Sequence, residues 1–319
     1  MTELMEKRAD AVFEGGGVKG IGFAGALDIA EKKGVLWQNV AGTSAGAIVA
    51  ALVASGYTAS EIKDILDTLD YTKFKDPTGT SSIPGIGPVA SILINKGIYR
   101  GEYFQEWIAG LLKAKNVTTF RDLIVPGEAD ERYRFKLRVI ASDITDGKIV
   151  ILPQDITGYG LIPEDLNVAL AVRMSMSIPY FYRPVSLTNV KTGRKNYLVD
   201  GGILSNFPVW LFDTHGSEPE WPTFGFKLIE PDSGSPHEIE GPVSMLTALF
   251  STMMEAHDSR HVQESDFVRT IAIPTLGVKT TEFDISREKS KSLYVSGRQA
   301  ALSFFSNWNF REYIRKYRR

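Results

Sequence analysis

Two residues of this 319-residue chain stand where acyl-transfer chemistry needs a nucleophile and a base: Ser44 and Asp200. Ser44 lies in Gly42-Thr43-Ser44-Ala45-Gly46, a G-x-S-x-G turn that follows the short apolar stretch Val40-Ala41. Glycines on both sides permit a sharp strand-to-helix turn that pushes the serine hydroxyl outward. A serine that merely capped a helix would account for the hydroxyl but not for the paired glycines. Upstream runs Glu14-Gly15-Gly16-Gly17-Val18-Lys19-Gly20. Three consecutive glycines let the backbone turn tightly and bring main-chain N–H groups close to an anion, and a helix start just beyond adds further unpaired donors. A glycine-rich anion cradle one βα unit before an exposed serine points to acyl transfer through an oxyanion hole.

A serine nucleophile needs a base, and in a triad this is a histidine held by an acid. The chain has four histidines, His215, His237, His257 and His261. The first two fall in polar, turn-rich stretches. His257 and His261 are one helical turn apart, but Asp258 stands beside the first where a zinc-protease helix carries glutamate. All four follow Asp200, so a Ser–Asp–His order remains compatible with the sequence. Asp200 ends the apolar run Tyr197-Leu198-Val199 and enters Gly201-Gly202. It is either an ordinary Asp-Gly turn residue or a base at the carboxyl edge of a sheet. Asp143, at the end of Arg134 to Asp143, is its natural competitor. The run Gly15 to Gly20 also fits the dinucleotide fingerprint G-x-G-x-x-G, yet Gly42-Thr43-Ser44 stands where the acidic ribose contact should be, and Ile21 stands where a P-loop would place lysine.

These turns must be held by strands and helices. Val12-Phe13 and Val40-Ala41-Gly42 read as short buried strands. Ile21, Ala24, Leu27, Ile29 and Ala30 mark an amphipathic helix between them, and Ala45 to Ala54 a small-residue helix after the serine turn. Further helices are expected over Ala59 to Leu69, Gly101 to Lys115, Asn167 to Met176, Val243 to Val262 and Ser286 to Phe305. Arg134 to Asp143 and Lys148 to Leu152 read as a hairpin about Thr145-Asp146-Gly147, with later strands at Tyr197 to Val199, Phe224 to Leu228 and Thr270 to Ile273. Asp76 to Gly87 is rich in Pro, Gly and Ser and reads as a long loop, either a plain surface insertion or a lid. Strands alternating with helices predict one α/β domain with a largely parallel sheet. The composition, 43% hydrophobic and 23% charged with a formal net charge of -2, is that of a globular chain without the basic excess of a nucleic-acid binder. The absence of cysteine excludes disulfides, thiolate catalysis and cysteine-based zinc sites. No secretory signal is visible and no apolar run is long enough to span a bilayer, so a cytoplasmic protein is expected, with peripheral membrane contact open.

Taken together, the Glu14 to Gly20 block, Gly42 to Gly46 and Asp200-Gly201-Gly202 resemble the patatin-like phospholipases, which carry D/E-G-G-G-x-K/R-G, G-x-S-x-G and D-G-G/A in this order. The likeness extends to Ala141-Ser142-Asp143 with Gly147, to Ser175 through Pro184, and to Glu282-Phe283-Asp284-Ile285. The resemblance implies a three-layer α/β/α fold with a core over about 11–305 and a basic aromatic tail over 306–319. It implies a Ser–Asp dyad acting on lipid esters as a phospholipase A or lysophospholipase, without metal or organic cofactor. Ser44 attacks, Asp200 takes its proton, and N–H groups of the Gly15, Gly16 and Gly17 run with that of Ala45 hold the oxyanion. Gly20, Gly42, Gly46, Gly201 and Gly202 complete the motifs. Glu14 stands where aspartate is commoner, with little consequence expected because the glycine N–H groups do the work. Lys19 is expected either to steady a lipid phosphate or to be solvated or paired locally. An acyltransferase and a non-enzymatic lipid-binding protein are the rival readings. Membrane contact, if made, is expected from the apolar band Met245, Leu246, Leu249, Phe250, Met253 and Met254, although plain core is the commoner fate of such a stripe. The tail is the other candidate, where Arg311, Arg315, Lys316, Arg318 and Arg319 interleave with aromatics.

Overall fold

A computed structural model describes residues 7–318 except 78, 80–86, 215–217, 231–238, 240, 242–243, 246–247, 251, 254–263 and 281; of 7 and 87–89 it describes the backbone alone. The strands are β1 (Lys7–Phe13), β2 (Val35–Thr43), β3 (Gly97–Tyr99), β4 (Leu137–Asp143), β5 (Lys148–Leu152), β6 (Tyr180–Tyr182), β7 (Val185–Thr188), β8 (Lys195–Asp200), β9 (Thr223–Ile229) and β10 (Thr270–Pro274). The helices are α1 (Ile21–Lys32), α2 (Ala45–Ala54), α3 (Ala59–Asp67), α4 (Gly87–Asn95), α5 (Glu102–Ala114), α6 (Val168–Ser175), α7 (Glu264–Val268), α8 (Arg287–Asn307) and α9 (Phe310–Tyr317).

The main sheet runs β10-β9-β1-β2-β4-β8-β7, with β5 also on β4. Its pairs from β10 to β4 are parallel, and helices flank the sheet. This is the α/β fold with a largely parallel central sheet that the alternating pattern predicts. The central strands are buried on both faces, which is why β1 and β2 end in unbroken apolar runs instead of alternating ones. Side chains still alternate in direction. Ala11, Phe13, Val40 and Val139 join the large core under the helices, whereas Val12, Ala41 and Ile140 point the other way onto Leu211 and Phe212.

One feature of β4 positions the site. β5 pairs with β4 over Val139 to Asp143, β2 over Leu137 to Ile140, and β8 over Ala141 to Asp143. A strand has two hydrogen-bonding edges. Since β5 overlaps both others, β2 and β8 must share the opposite edge. They run toward each other along it: Thr43 faces Ile140 and Asp200 faces Ala141. The residue after Thr43 is Ser44. Two strands of opposite direction therefore deliver Ser44 and Asp200 to one point.

Sequence periodicity falls short at three places. β1 and β2 begin earlier than expected, because Lys7, Arg8 and Ala9 of β1 already pair with Val35, Leu36 and Trp37 of β2. Gly87 opens α4 instead of closing a loop, with Pro88 in the first turn where a missing N–H does no harm. Most of the Asp76 to Gly87 loop lies outside the described residues. The tail forms α9, capped by Asn309, whose side chain accepts the Glu312 N–H at 3.1 Å. Tyr313 is buried beside Trp308, and the charges of Lys316 and Arg318 meet Glu264 and Asp213 at 3.1 and 2.6 Å. Of the Val243 to Val262 helix, the described residues include exposed Met245, Leu249 and Met253 and buried Phe250; Leu246 and Met254 lie outside them.

Candidate active site

Ser44 sits between the last residue of β2 and the first of α2 with φ 53° and ψ −125°. A non-glycine residue with this backbone carries strain of about 1–3 kcal/mol, tolerated only where the surroundings enforce it. Close packing does so here. Gly42 and Gly46 face each other so tightly that a Cβ on Gly42 would lie 2.2 Å from the Gly46 carbonyl, and one on Gly46 would lie 2.3 Å from the Phe13 carbonyl. The Ser44 N–H donates to Ser175 Oγ at 2.8 Å, and Ser175 Oγ donates to the Ile140 carbonyl at 2.6 Å. The Ser44 hydroxyl is 3% exposed at the residue level and is directed at Met176 Sδ, 3.6 Å away.

Asp200 ends β8 and is fully buried. Its Oδ1 accepts the Gly202 N–H at 2.8 Å, while Oδ2 has no hydrogen-bond partner among the described residues. Burial pushes the carboxyl up to about 7; the Gly202 bond and the neighbouring Ser44 side chain oppose this without cancelling it. A carboxyl that ionises near neutrality is a far better proton acceptor than one at the ordinary ~3.9. Gly201 presses on β4, where a Cβ would come 2.3 Å from the Ile140 carbonyl.

Asp143, the competitor, is equally buried but differently furnished. Tyr159 and Asn196 each donate to its Oδ2 at 2.7 Å, and the N–H groups of Thr145 and Asp146 reach Oδ1 at 2.8 and 3.2 Å. Burial raises its pKa, but these four bonds outweigh it and leave the carboxyl below its usual range. Such an acid is a structural anchor for the β4–β5 turn and a poor base. Asp143→Asn is expected to lose about 2–3 kcal/mol of stability by denaturant unfolding at pH 8, from two charge-assisted bonds, with turnover within about tenfold of the unsubstituted chain. The sign follows from a lowered pKa: this stability is present above about pH 4 and disappears on acidification.

The glycine loop follows β1. Gly15 N–H donates to the Asn206 carbonyl at 3.2 Å, and a Cβ on Gly15 would stand 3.1 Å from Ser44 Cβ, so the loop lies against the serine. Gly17 has φ +58° and abuts Thr280, whose carbonyl would be 1.9 Å from a Cβ. The N–H groups of Gly16, Gly17 and Ala45 have no hydrogen-bond partner among the described residues. Gly20 caps α1 with room around it, a Cβ meeting only Val49 at 3.9 Å.

Several residues at this site carry roles that the motifs alone do not reveal. Glu14 is buried; its carboxylate binds Lys227 Nζ at 2.6 Å and the Leu228 N–H at 2.5 Å, tying the loop to β9. Lys19 is buried, not solvated, and paired with Glu230 at 2.7 Å. Arg173 on α6 is a buried cation that donates to the carbonyls of Gly101, Arg100 and Arg183 and to Ser177 Oγ. Desolvation lowers its pKa to about 10. All four histidines lie outside the described residues. Among the described residues no three His, Asp or Glu side chains gather as metal ligands, and no helix is long and apolar enough to cross a membrane.

Comparison with known proteins adds an independent view. Residues 11–213 match the profile described as patatin-like phospholipase. The chain is 40% identical over 302 residues to the uncharacterized protein YqhO of Bacillus subtilis (strain 168), covering 94% of this chain and 99% of that one. It is 26% identical over 213 residues to a probable lipid hydrolase of Invertebrate iridescent virus 6, covering 62% of this chain and 61% of that one. Among solved structures it superposes on VipD from Legionella pneumophila with a TM-score of 0.53 at 20% identity, over 94% of this chain and 67% of that one; this likeness concerns the fold alone.

Proposed function

The chain belongs to the patatin-like phospholipase family, and on that premise we propose that it is a serine acyl hydrolase of lipid esters, of phospholipase A or lysophospholipase type, working through a Ser44–Asp200 dyad. One observation carries the reading. A strained serine and a buried carboxyl that ionises near pH 7 are delivered to one point by strands meeting on β4. The viral relative's description as a probable lipid hydrolase supports the substrate class.

Ser44 Oγ attacks the ester carbonyl while Asp200 Oδ2 takes the hydroxyl proton. Oδ2 is the oxygen without another partner, so it needs to give up nothing to act. Negative charge develops on the former carbonyl oxygen. The N–H groups of Gly16, Gly17 and Ala45 are the donors that remain to receive it; Gly15 shapes the loop, its own N–H being engaged by Asn206. Each such donor is worth about 3–4 kcal/mol of transition-state stabilisation. Protonated Asp200 returns its proton to the departing alcohol. It then activates a water against the acyl-enzyme, releasing the fatty acid and restoring Ser44. No step requires a metal or organic cofactor.

A fluorophosphonate probe tests this directly. Labelling is expected on Ser44 by peptide mass spectrometry, and vesicles of phosphatidylcholine are expected to yield fatty acid and lysophospholipid. Labelling of a different serine, or none, overturns the nucleophile. Labelled Ser44 with the acyl group recovered mainly on an added alcohol, instead of as free acid, makes the protein an acyltransferase.

A further inference from the structure

The C-terminal turn of α6 touches both members of the dyad. Ser175 Oγ accepts the Ser44 N–H and itself donates a hydrogen bond to the Ile140 carbonyl. Two residues on, the Ser177 carbonyl accepts the Asp200 N–H at 2.9 Å. Between them, Met176 places its sulfur on the Ser44 hydroxyl. Ile140 is also the residue that Gly201 packs against and the last on β4 to face β2. Ser175 and Ser177 are fully buried. The turn is itself braced: Ser177 Oγ donates to the Arg173 carbonyl at 2.7 Å and receives the Arg173 guanidinium.

We infer that this turn is the strut that sets the separation of Ser44 and Asp200, and that Ser175 is a positioning residue for the nucleophile. The inference rests on the dyad reading above. Its physical content is specific. The Ser44 N–H lies on the strained side of the elbow, and a hydrogen bond there holds the φ that aims Oγ. With this N–H committed to Ser175, the next one along, Ala45, is the donor turned to the oxyanion. A hydroxyl is needed because one atom must accept from Ser44 and donate to Ile140 at once, which serine or threonine does and alanine cannot. Ser175 is fully buried with its hydroxyl committed to two backbone groups, so it acts on the rate of the bound complex and leaves binding alone.

The test is steady-state hydrolysis of a short soluble ester, with fluorophosphonate labelling rates, for Ser175→Ala, Ser175→Cys and Ser175→Thr, and Ser44→Ala in parallel. Misplacing a reacting atom by about an ångström lowers rate on the order of a hundredfold. Ser175→Ala is expected to lower kcat by about 10- to 100-fold with KM within about twofold, and to slow labelling in proportion. Ser175→Thr is expected to regain most of the rate; a merely structural role would not separate it from alanine in this way, since it adds a methyl to a packed site. Should Ser175→Ala not fold, Ser175→Cys, close in volume and a weaker donor, is expected to show the same kcat loss to a lesser degree. Unsubstituted kcat and labelling in the alanine or cysteine variant overturns the inference, as does an equal fall for alanine and threonine. If Ser44→Ala is inactive while Ser175→Ala is unimpaired, the dyad stands and only the strut falls. If Ser44→Ala keeps its activity, both fall.

Discussion

Ser44→Ala is expected to reduce hydrolysis of a soluble ester by at least about a thousandfold, because binding and an oxyanion hole survive but nothing remains to form the acyl-enzyme. The fold should be almost indifferent to the change. The hydroxyl lies on Met176 Sδ and beside the Asp200 carboxyl, weak contacts to lose, while the backbone N–H that Ser175 holds is still present in alanine. Alanine at φ 53° carries the same backbone strain as serine. Glycine does not, so Ser44→Gly is expected to be as inactive as alanine yet more stable by about 1 kcal/mol. Thermal melting and turnover measured on the three proteins check both halves. A Ser44→Ala protein with unsubstituted turnover removes the mechanism, and a Ser44→Gly protein that melts lower removes the claim of strain.

The second large effect belongs to Asp200. Asp200→Asn is expected to lower kcat by about a thousandfold or more, since an amide cannot take the serine proton. The pH dependence gives the sharper signature. With the carboxyl raised to about 7 by burial, the active, ionised form gains population as pH rises, so kcat/KM should climb tenfold per pH unit below about 7 and level off above it. In Asp200→Asn the residual rate should lack this limb. Stability runs the opposite way. A carboxyl with a folded-state pKa above its unfolded value binds its proton more tightly when folded, so its contribution is full below about pH 4 and declines as pH rises to about 7. Asp10 is also raised to about 7, chiefly by burial, and acts with the same sign. The stability profile thus mixes Asp200 and Asp10 with groups of either sign, Asp143 among them, whereas the rate profile is assigned to one. A limb centred near pH 4, or one that survives in Asp200→Asn, would show that another group is the base. Asp143 is the control: held below the usual carboxylate range, it is expected to affect melting far more than turnover.

What the sequence made legible at this site is what is local. Glycines at Gly15 to Gly17, Gly42, Gly46 and Gly201 are legible because they cluster in short motifs, although only the contact of Gly42 with Gly46 is local; Asn206, Leu228, Thr280, Phe13 and Ile140 are what exclude a Cβ at the others. Asp200 is recognisable from the apolar strand it ends. The rest depends on contacts between distant segments. Nothing in Ser175 announces that its hydroxyl meets the Ser44 N–H, and the engagement of Gly15 by Asn206 follows only from the docking of the segment after β8. Glu14 shows the same limit. Judged by its turn alone, it matters little beside the glycines. In three dimensions its carboxylate fastens the loop to β9 through Lys227 and the Leu228 N–H. The short strands β3, β6 and β7 escape periodicity because three or four residues hold too little of a repeat.

The way β2 and β8 share an edge of β4 also bears on how the molecule gains activity as it folds. β2 and the helices around it belong to the first part of the chain, and their parallel pairing with β4 can form before β8 arrives. β8 must also close a loop, 59 residues between paired Ala141 and Asp200 against 97 between Val40 and Leu137, to occupy the remaining stretch of the same edge, and each closure costs the entropy of bringing distant segments together. Only this closure brings Asp200 beside Ser44 and seats Asn206 on Gly15. A partly folded chain in which β8 has not docked can keep most of its helical circular-dichroism signal, yet has neither base nor a fixed glycine loop. Recovery of esterase activity during refolding therefore requires the docking of β8, which the helical signal does not report.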